Sequence, residues 1–382
     1  MADFMNKLRK VKWKHFVNYI AIGIVAIIFS CLTFADALPQ STLYLLEKIT
    51  MNIILAVSLS LVVGFLGELS LGHAGFMCIG AYMGGKFATF FGEGGDSIIS
   101  FLVALIVGAL VAGIFGFIIG LPALRLKGDY LAIVTLAFGE IVKTIFENTS
   151  DKSFGGPIGL RTPRFDKHYL FIIGFALVLI TVFVIQNLIR SKHGRAITAI
   201  RDNEIAAKAT GINVTKYKLI GFIISAAFAG VAGVFYSFSN YTVKASVFDY
   251  NYSIEILIMV VLGGMGSISG SIISATLITY INTQLQTVLT GELAVLKDIL
   301  YALILVLIII YNNAPLFRNI RDKYNFKALF TKLFKIKRPV SYDKDDEGAW
   351  HRVPTKISMD EILSTDIKVT ESTKEPDKED KG

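Results

Sequence analysis

Apolar residues occupy this chain in long blocks separated by short polar stretches, not in the alternating or three-to-four-spaced patterns of a soluble core. A membrane-spanning helix needs about 20 mostly apolar residues, with a tolerated range of about 17–25. Ten segments fit: 18–38, 43–66, 72–91, 97–120, 130–146, 169–189, 218–238, 253–269, 271–288 and 295–311. The fifth is short and carries Glu140 and Lys143. The eighth and ninth form one apolar stretch broken by Gly263, Gly264, Gly266 and Gly270. Unbroken, its roughly 36 residues would overshoot a bilayer nearly twofold at about 1.5 Å per residue, so two helices are predicted. The predicted fold class is an all-α polytopic membrane protein with about ten transmembrane helices.

Composition agrees. Hydrophobic residues make up 53% of the 382 and charged residues 18%, against about 25% charged in soluble chains. The surplus apolar surface needs a solvent other than water. Cys31 and Cys78 both fall in apolar runs, which excludes a disulfide scaffold. Four regions follow: a basic cytoplasmic start at 1–17, a transmembrane domain at 18–311, a basic juxtamembrane segment at 312–339 and an acidic tail at 340–382. The first apolar block is longer than a signal-peptide core, and Ala35-Asp36-Ala37 is a poor cleavage site, so a retained helix is expected. Residues 315–339 interleave Phe and Leu with Lys and Arg. That suits an amphipathic helix at the inner leaflet or, equally, snorkelling anchors. The tail is polar and poor in aromatics, and reads as disordered.

Charge sets the orientation. With ten helices and the N-terminus inside, the inside segments up to residue 339, extended by one residue to Lys218, hold 22 Lys and Arg, and the outside segments, with Lys48 and Lys297 near span ends counted among them, hold 7. That bias is the positive-inside pattern, and it places both termini in the cytoplasm. The basicity therefore reports membrane orientation, and nucleic acid is not an expected partner.

Candidate chemistry is sparse. Glu68, His73, Lys86, Glu140, Lys143 and Glu255 are among the few ionisable residues in or beside spans, and such residues default to functional hypotheses. Structural pairing is the competing reading for each. The run Gly263-Gly264-Met265-Gly266-Ser267-Ile268-Ser269-Gly270 breaks a helix at membrane depth, where irregular backbone is tolerated only inside protein or beside a wet cavity. His73 has no HExxH and no nucleophile–base pair around it, so an intramembrane enzyme is not expected. No Gly-x-x-x-x-Gly-Lys-[Ser/Thr] pattern occurs, so ATP hydrolysis and cofactors are not expected of this chain.

The connection 190–217 is the longest cytoplasmic one and is basic. Within it Asn203, or Asp202, can cap a helix N-terminus. Glu204 and Lys208 complement the helix dipole and form an i,i+4 pair. Gly211 supplies a left-handed end. A two-turn helix over 203–210 is predicted, with Ile205, Ala206 and Ala209 as its apolar contact face. A surface helix that short needs something to dock on.

At this helix the sequence resembles a known family. Glu204-Ile205-Ala206-Ala207 followed by Gly211 is similar to the EAA signature of ABC importer permeases, with Ile205 a departure. The surroundings, from Gly194-Arg195-Ala196 to Gly211-Ile212, resemble the LivM-type permeases of branched-chain amino acid transporters. Leu69-Ser70-Leu71-Gly72-His73-Ala74-Gly75-Phe76, the stretch Leu124-Arg125-Leu126-Lys127-Gly128-Asp129 through Thr135 to Glu140, and Met259 through Gly263-Gly264-Met265-Gly266-Ser267 agree with it, as does Gly155-Gly156-Pro157-Ile158-Gly159-Leu160. The likeness covers about 49–311 and leaves the tail out.

The resemblance implies an importer permease in the cell membrane. Its partners would be a LivH-type sibling permease, two cytoplasmic ATPases that bind the ATP, and an extracytoplasmic amino-acid-binding protein. Asp202, Asn203, Glu204, Ala206, Ala207 and Gly211 would form the ATPase-coupling helix. Ser70, Gly72, His73, Thr135, Glu140, Glu255, Gly263, Gly264 and Gly266 are the candidate substrate pathway, lining and bracing residues undivided. A pathway poor in fixed charge, with helix ends on offer, suits a zwitterion. Two rivals remain: a permease of the same family for urea or a short amide, and an ion-coupled secondary transporter.

Overall fold

The computed structural model describes residues 17–34, 39–90, 98–126, 128–163 and 167–288, with isolated positions between 299 and 306. The tenth predicted span and both terminal segments lie almost wholly outside the described residues. Eleven helices carry the description below: α1 Val17–Phe34, α2 Gln40–Ser60, α3 His73–Phe90, α4 Ile98–Ala123, α5 Asp129–Glu147, α6 Lys167–Arg190, α7 Lys192–Asp202, α8 Glu204–Ala209, α9 Val214–Ser239, α10 Tyr250–Gly263 and α11 Ile268–Val288. A two-residue antiparallel ladder, β1 Leu160–Arg161 with β2 Thr242–Val243, ties the α5–α6 and α9–α10 connections together. The fold is an all-α polytopic membrane protein. Four of its helical stretches are long and apolar enough to cross a bilayer by those criteria alone: Gln40–Leu66, Ile98–Ala123, Tyr169–Arg190 and Val214–Ser239.

Hydrophobic blocks become helices because a backbone in lipid must satisfy its own polar groups. What arranges them is the placement of small residues. The most apolar window of α2 is 94% buried and that of α4 only 33%, so α2 is an axis and α4 a wall. α4 turns Ile99, Leu102, Ile106 and Leu110 outward. Its inner face meets α9 through glycine. A Cβ on Gly116 would stand 2.7 Å from that of Ala226, and one on Gly230 2.5 Å from that of Ala112. α3 approaches α9 just as closely: a Cβ on Gly80 would sit 2.2 Å from the Gly230 carbonyl oxygen. Small residues are what let helices pack in lipid.

Three features correct the sequence reading. The eighth helix runs from Tyr250 to Gly263, not over 253–269. Gly264 and Gly266 sit at φ 90° and 82°, so the chain leaves the helix there and re-enters it at Ile268. Fourteen residues of α10 rise only about 21 Å, short of the ~30 Å hydrocarbon core. Next, the long connection is not a loop with one short helix. It opens with α7, capped by Ser191 Oγ accepting from the His193 and Gly194 amides. Finally, α2 does not end cleanly. It widens into a π-helical turn, Leu61–Leu66, closed by Gly67 at φ 80°.

Candidate functional site

The short helix forms as its sequence dictates. Asn203 Oδ1 accepts from the Ala206 amide at 3.0 Å. At the other end Gly211, at φ 85°, closes a Schellman motif. The Ile212 amide donates to Ala207 O and the Gly211 amide to Lys208 O, both at 3.1 Å. Asp202 does not cap. Its Oδ1 accepts from Arg201 Nε and Nη2, which aims that guanidinium.

Two expectations about this helix change. Glu204 does not pair with Lys208. Its Oε2 lies 3.0 Å from Lys218 Nζ in the first turns of α9, because the helix lies over α9 and a buried ammonium is a better partner than an exposed one. Nor are Ile205, Ala206 and Ala209 packed against this chain. Ala207 is the buried residue, and Ile205 is 83% exposed. The apolar tip therefore points away from the fold.

Lys218 is 5% exposed and holds two carboxylates at once. Glu68 Oε1, just past the π-helical turn, lies 2.5 Å from its Nζ. Arg201 makes a parallel link: Nη1 donates to Gly64 O at 3.0 Å. Gly64 in turn touches the glycine break, where a Cβ on it would stand 2.4 Å from the Gly266 amide nitrogen. The helical pair α7–α8 is thus tied through Arg201 to Gly64 in the π-helical turn and through Lys218 to Glu68 just past it, and Gly64 itself packs on the glycine break.

The pathway candidates fall into separate places. Gly72 and Thr135 face each other: a Cβ on Gly72 would be 2.7 Å from Thr135 O, and Thr135 Oγ1 accepts from the Leu71 amide. Gly75 likewise meets Gly139, and the Phe76 and Phe138 rings stand 4.9 Å apart. These residues join α3 to α5. His73 is buried, with Nε2 2.8 Å from Ser58 Oγ of α2. Ser70 is buried beside it, its Oγ without a hydrogen-bond partner among the described residues. Glu140 pairs with Lys143 at 3.3 Å and accepts from the Tyr250 amide at 2.9 Å, fixing the start of α10. Gly263 packs against Gly270 across the break.

Glu255 stands elsewhere. It lines a cavity of about 190 Å³ among α2, α10 and α11, with Asn52, Tyr252, Thr279 and Asn282. Sequence reading missed those neighbours, and Lys218 and Arg201 as well. Uncharged polar residues barely dent an apolar run, and nothing in a hydropathy pattern joins residue 68 to residue 218.

A glycine-packed bundle of long apolar helices, two of them joined through a broken turn, with a capped two-turn helix whose tip is exposed, is the build of a multi-pass membrane protein. Residues 41–309 match the family described as branched-chain amino acid transport system / permease component, and the chain belongs to that family. It is 35% identical over 287 residues to the high-affinity branched-chain amino acid transport system permease protein LivM of Escherichia coli K12, covering 67% of this chain and 66% of that one. It is 38% identical over 258 residues to the Salmonella typhimurium LivM, covering 59% of each. The ribose import permease RbsC of E. coli is 26% identical over 70% of this chain and 84% of its own. The chain thus spans somewhat under two thirds of the length of the LivM relatives it matches first. No solved structure matches it.

Proposed function

We propose that this chain is the LivM-type permease subunit of an ATP-driven importer that carries branched-chain amino acids into the cytoplasm. The observation that carries the reading is α8. It is a two-turn helix with both ends capped, its exposed Ile205 tip turned away from the fold, its base anchored through Glu204 to Lys218. A helix that short is not stable alone. Built this way, it suits docking on a cytoplasmic ATPase and passing the ATPase's motion on as a rigid lever. Through Lys218 it is tied to Glu68, and through Arg201 of α7 to the π-helical turn, which packs on the glycine break; backbone at both places is irregular and suited to rearrangement. Inward- and outward-facing states need differ by only a few kcal/mol for ATP and substrate to shift them. ATP and its site would belong to the two ATPase partners. A LivH-type sibling would complete the pathway, and a binding protein would deliver substrate from outside. The greater identity to LivM than to the ribose permease favours an aliphatic amino acid as cargo.

Gly211→Val tests the lever. No atom lies within 4 Å of where its Cβ would be, so the substitution adds no clash and acts through backbone conformation alone. At φ 85° a β-branched residue is strained by about 1 kcal/mol or more. The helix end should fray while the permease still inserts. In purified complexes uptake and substrate-stimulated ATP hydrolysis should both fall severalfold at unchanged membrane abundance. Wild-type values for both would remove the coupling assignment.

The proposed orientation places both termini in the cytoplasm. A cysteine at Ser153, in a Cys31→Ser background, should react with an impermeant thiol reagent applied outside, and one at Lys192 should not. The reverse labelling would invert the topology.

A further inference from the structure

The cavity among α2, α10 and α11 lies far from the α7–α8 end. Lys48, which lines it, precedes Gly64, the Arg201 contact, by 16 residues of α2 and its turn, about 24 Å along a helix. Its apolar lining includes Met51, Met77 and Val247. Its polar lining includes a wall of side chains joined by hydrogen bonds. Tyr252 Oη donates to Asn52 Oδ1 at 2.7 Å, Asn52 Nδ2 donates to Thr279 Oγ1 at 2.8 Å, and Thr279 Oγ1 donates to Ala275 O at 2.7 Å. Each of these side chains is oriented by the next, so the wall is preformed.

Two full charges stand on this cavity. Glu255, in the second turn of α10, accepts from Asn282 Nδ2 at 2.9 Å, which holds its carboxylate at the lining. Lys48 makes no ion pair among the described residues, and its ammonium rests 5.0 Å from the centre of the Tyr44 ring. A carboxylate held at the lining, a lysine that also lines it and apolar side chains beside them are the complement of a single class of molecule. The volume of about 190 Å³ is below the ~300–1,000 Å³ of sites for drug-sized ligands, which suits one small metabolite. An ionisable residue within an apolar helix of a membrane bundle, as Glu255 is in α10, is a functional hypothesis by default.

We infer that this cavity is a permease-borne recognition site for the zwitterion of an aliphatic α-amino acid, with Glu255 taking the ammonium, Lys48 the carboxylate, and Met51, Met77 and Val247 the side chain. The inference rests on the importer reading and adds to it a place where this subunit itself selects the cargo after the binding protein releases it.

The test uses the assembled complex with Cys31→Ser and Thr283→Cys, since Thr283 lines the cavity and Cys78 is buried. L-leucine should slow alkylation of the new thiol at least fivefold. Leucine without its ammonium (4-methylpentanoate), leucine without its carboxylate (isopentylamine) and urea should not. Adding Glu255→Gln should abolish the protection. A cysteine at the exposed Ile158 should be alkylated at the same rate throughout. If Thr283→Cys does not accumulate, Gln286→Cys, which also lines the cavity, gives the same readout. Unprotected alkylation in a complex whose parent takes up leucine would overturn the site and leave the importer reading standing. Equal protection by 4-methylpentanoate, or protection that survives Glu255→Gln, would overturn the zwitterion assignment. A parent complex that takes up no leucine would overturn both.

Discussion

Lys218→Met is expected to cost the permease about 3–5 kcal/mol, the range for removing one partner of a buried ion pair, and to abolish uptake. The residue is nearly inaccessible and has carboxylates on two sides, Glu68 at 2.5 Å and Glu204 at 3.0 Å. Glu68 is itself largely buried, with 14% side-chain exposure. Without the ammonium it must either stay charged against low dielectric or take up a proton, and both are unfavourable. The Glu204 half of the cluster is more exposed, so less of the loss comes from there. Its loss is functional: α8 comes off its anchor. The companion Lys218→Met/Glu68→Gln removes the stranded charge, so it should recover much of the abundance in membranes and little of the uptake. Thermal unfolding of the detergent-solubilised complex, read beside uptake, separates the two effects. Equal recovery of both would show that the cluster only stabilises the fold and transmits nothing.

Gly233→Val should be as damaging by a different route. A Cβ at this position would lie 2.0 Å from the Met77 carbonyl oxygen and 2.8 Å from the Ala81 amide nitrogen. Both are backbone atoms of α3 and cannot step aside as a flexible side chain could. Overpacking a core typically costs about 1–3 kcal/mol and occasionally more. Here α3 and α9 must separate, and with them the Gly80–Gly230 approach that also seats α4. The expected result is loss of folded permease from the membrane, seen as protease sensitivity and low yield. Gly23→Val in α1, where no atom lies within 4 Å of the added Cβ, should be close to neutral. Normal yield of Gly233→Val would mean that α3 and α9 do not pack as described.

These two sites mark where sequence reading succeeds and where it stops. Helices α2, α3, α4, α6 and α9 are legible because each is an apolar block of spanning length between polar or glycine-rich breaks. The left-handed end at Gly211 and the break at 264–266 are legible because glycine is the residue such φ values favour. Helix α7 was hidden by its polarity. Its signals are a serine cap and the buried set Ala196, Ile197 and Ile200, too few apolar residues to register as a block. The π-helical turn has no sequence signal, since Leu61–Leu66 is as apolar as what precedes it. The Glu204 partner was misassigned because Lys208 is near in sequence and Lys218 is near only once α9 turns back. Among the pathway candidates, only tertiary structure could part Gly72 and Thr135, which hold α3 to α5, from Glu255, which faces a cavity.

The most direct measurement of the central claim is labelled-leucine uptake into proteoliposomes that carry this permease, its sibling and the ATPase pair, with the loaded binding protein supplied on the side opposite the ATPases. The account predicts accumulation that requires both ATP and the ATPase subunits, is absent for labelled urea, and collapses in Gly211→Val. Leucine accumulation driven by an imposed ion gradient without ATP would contradict it.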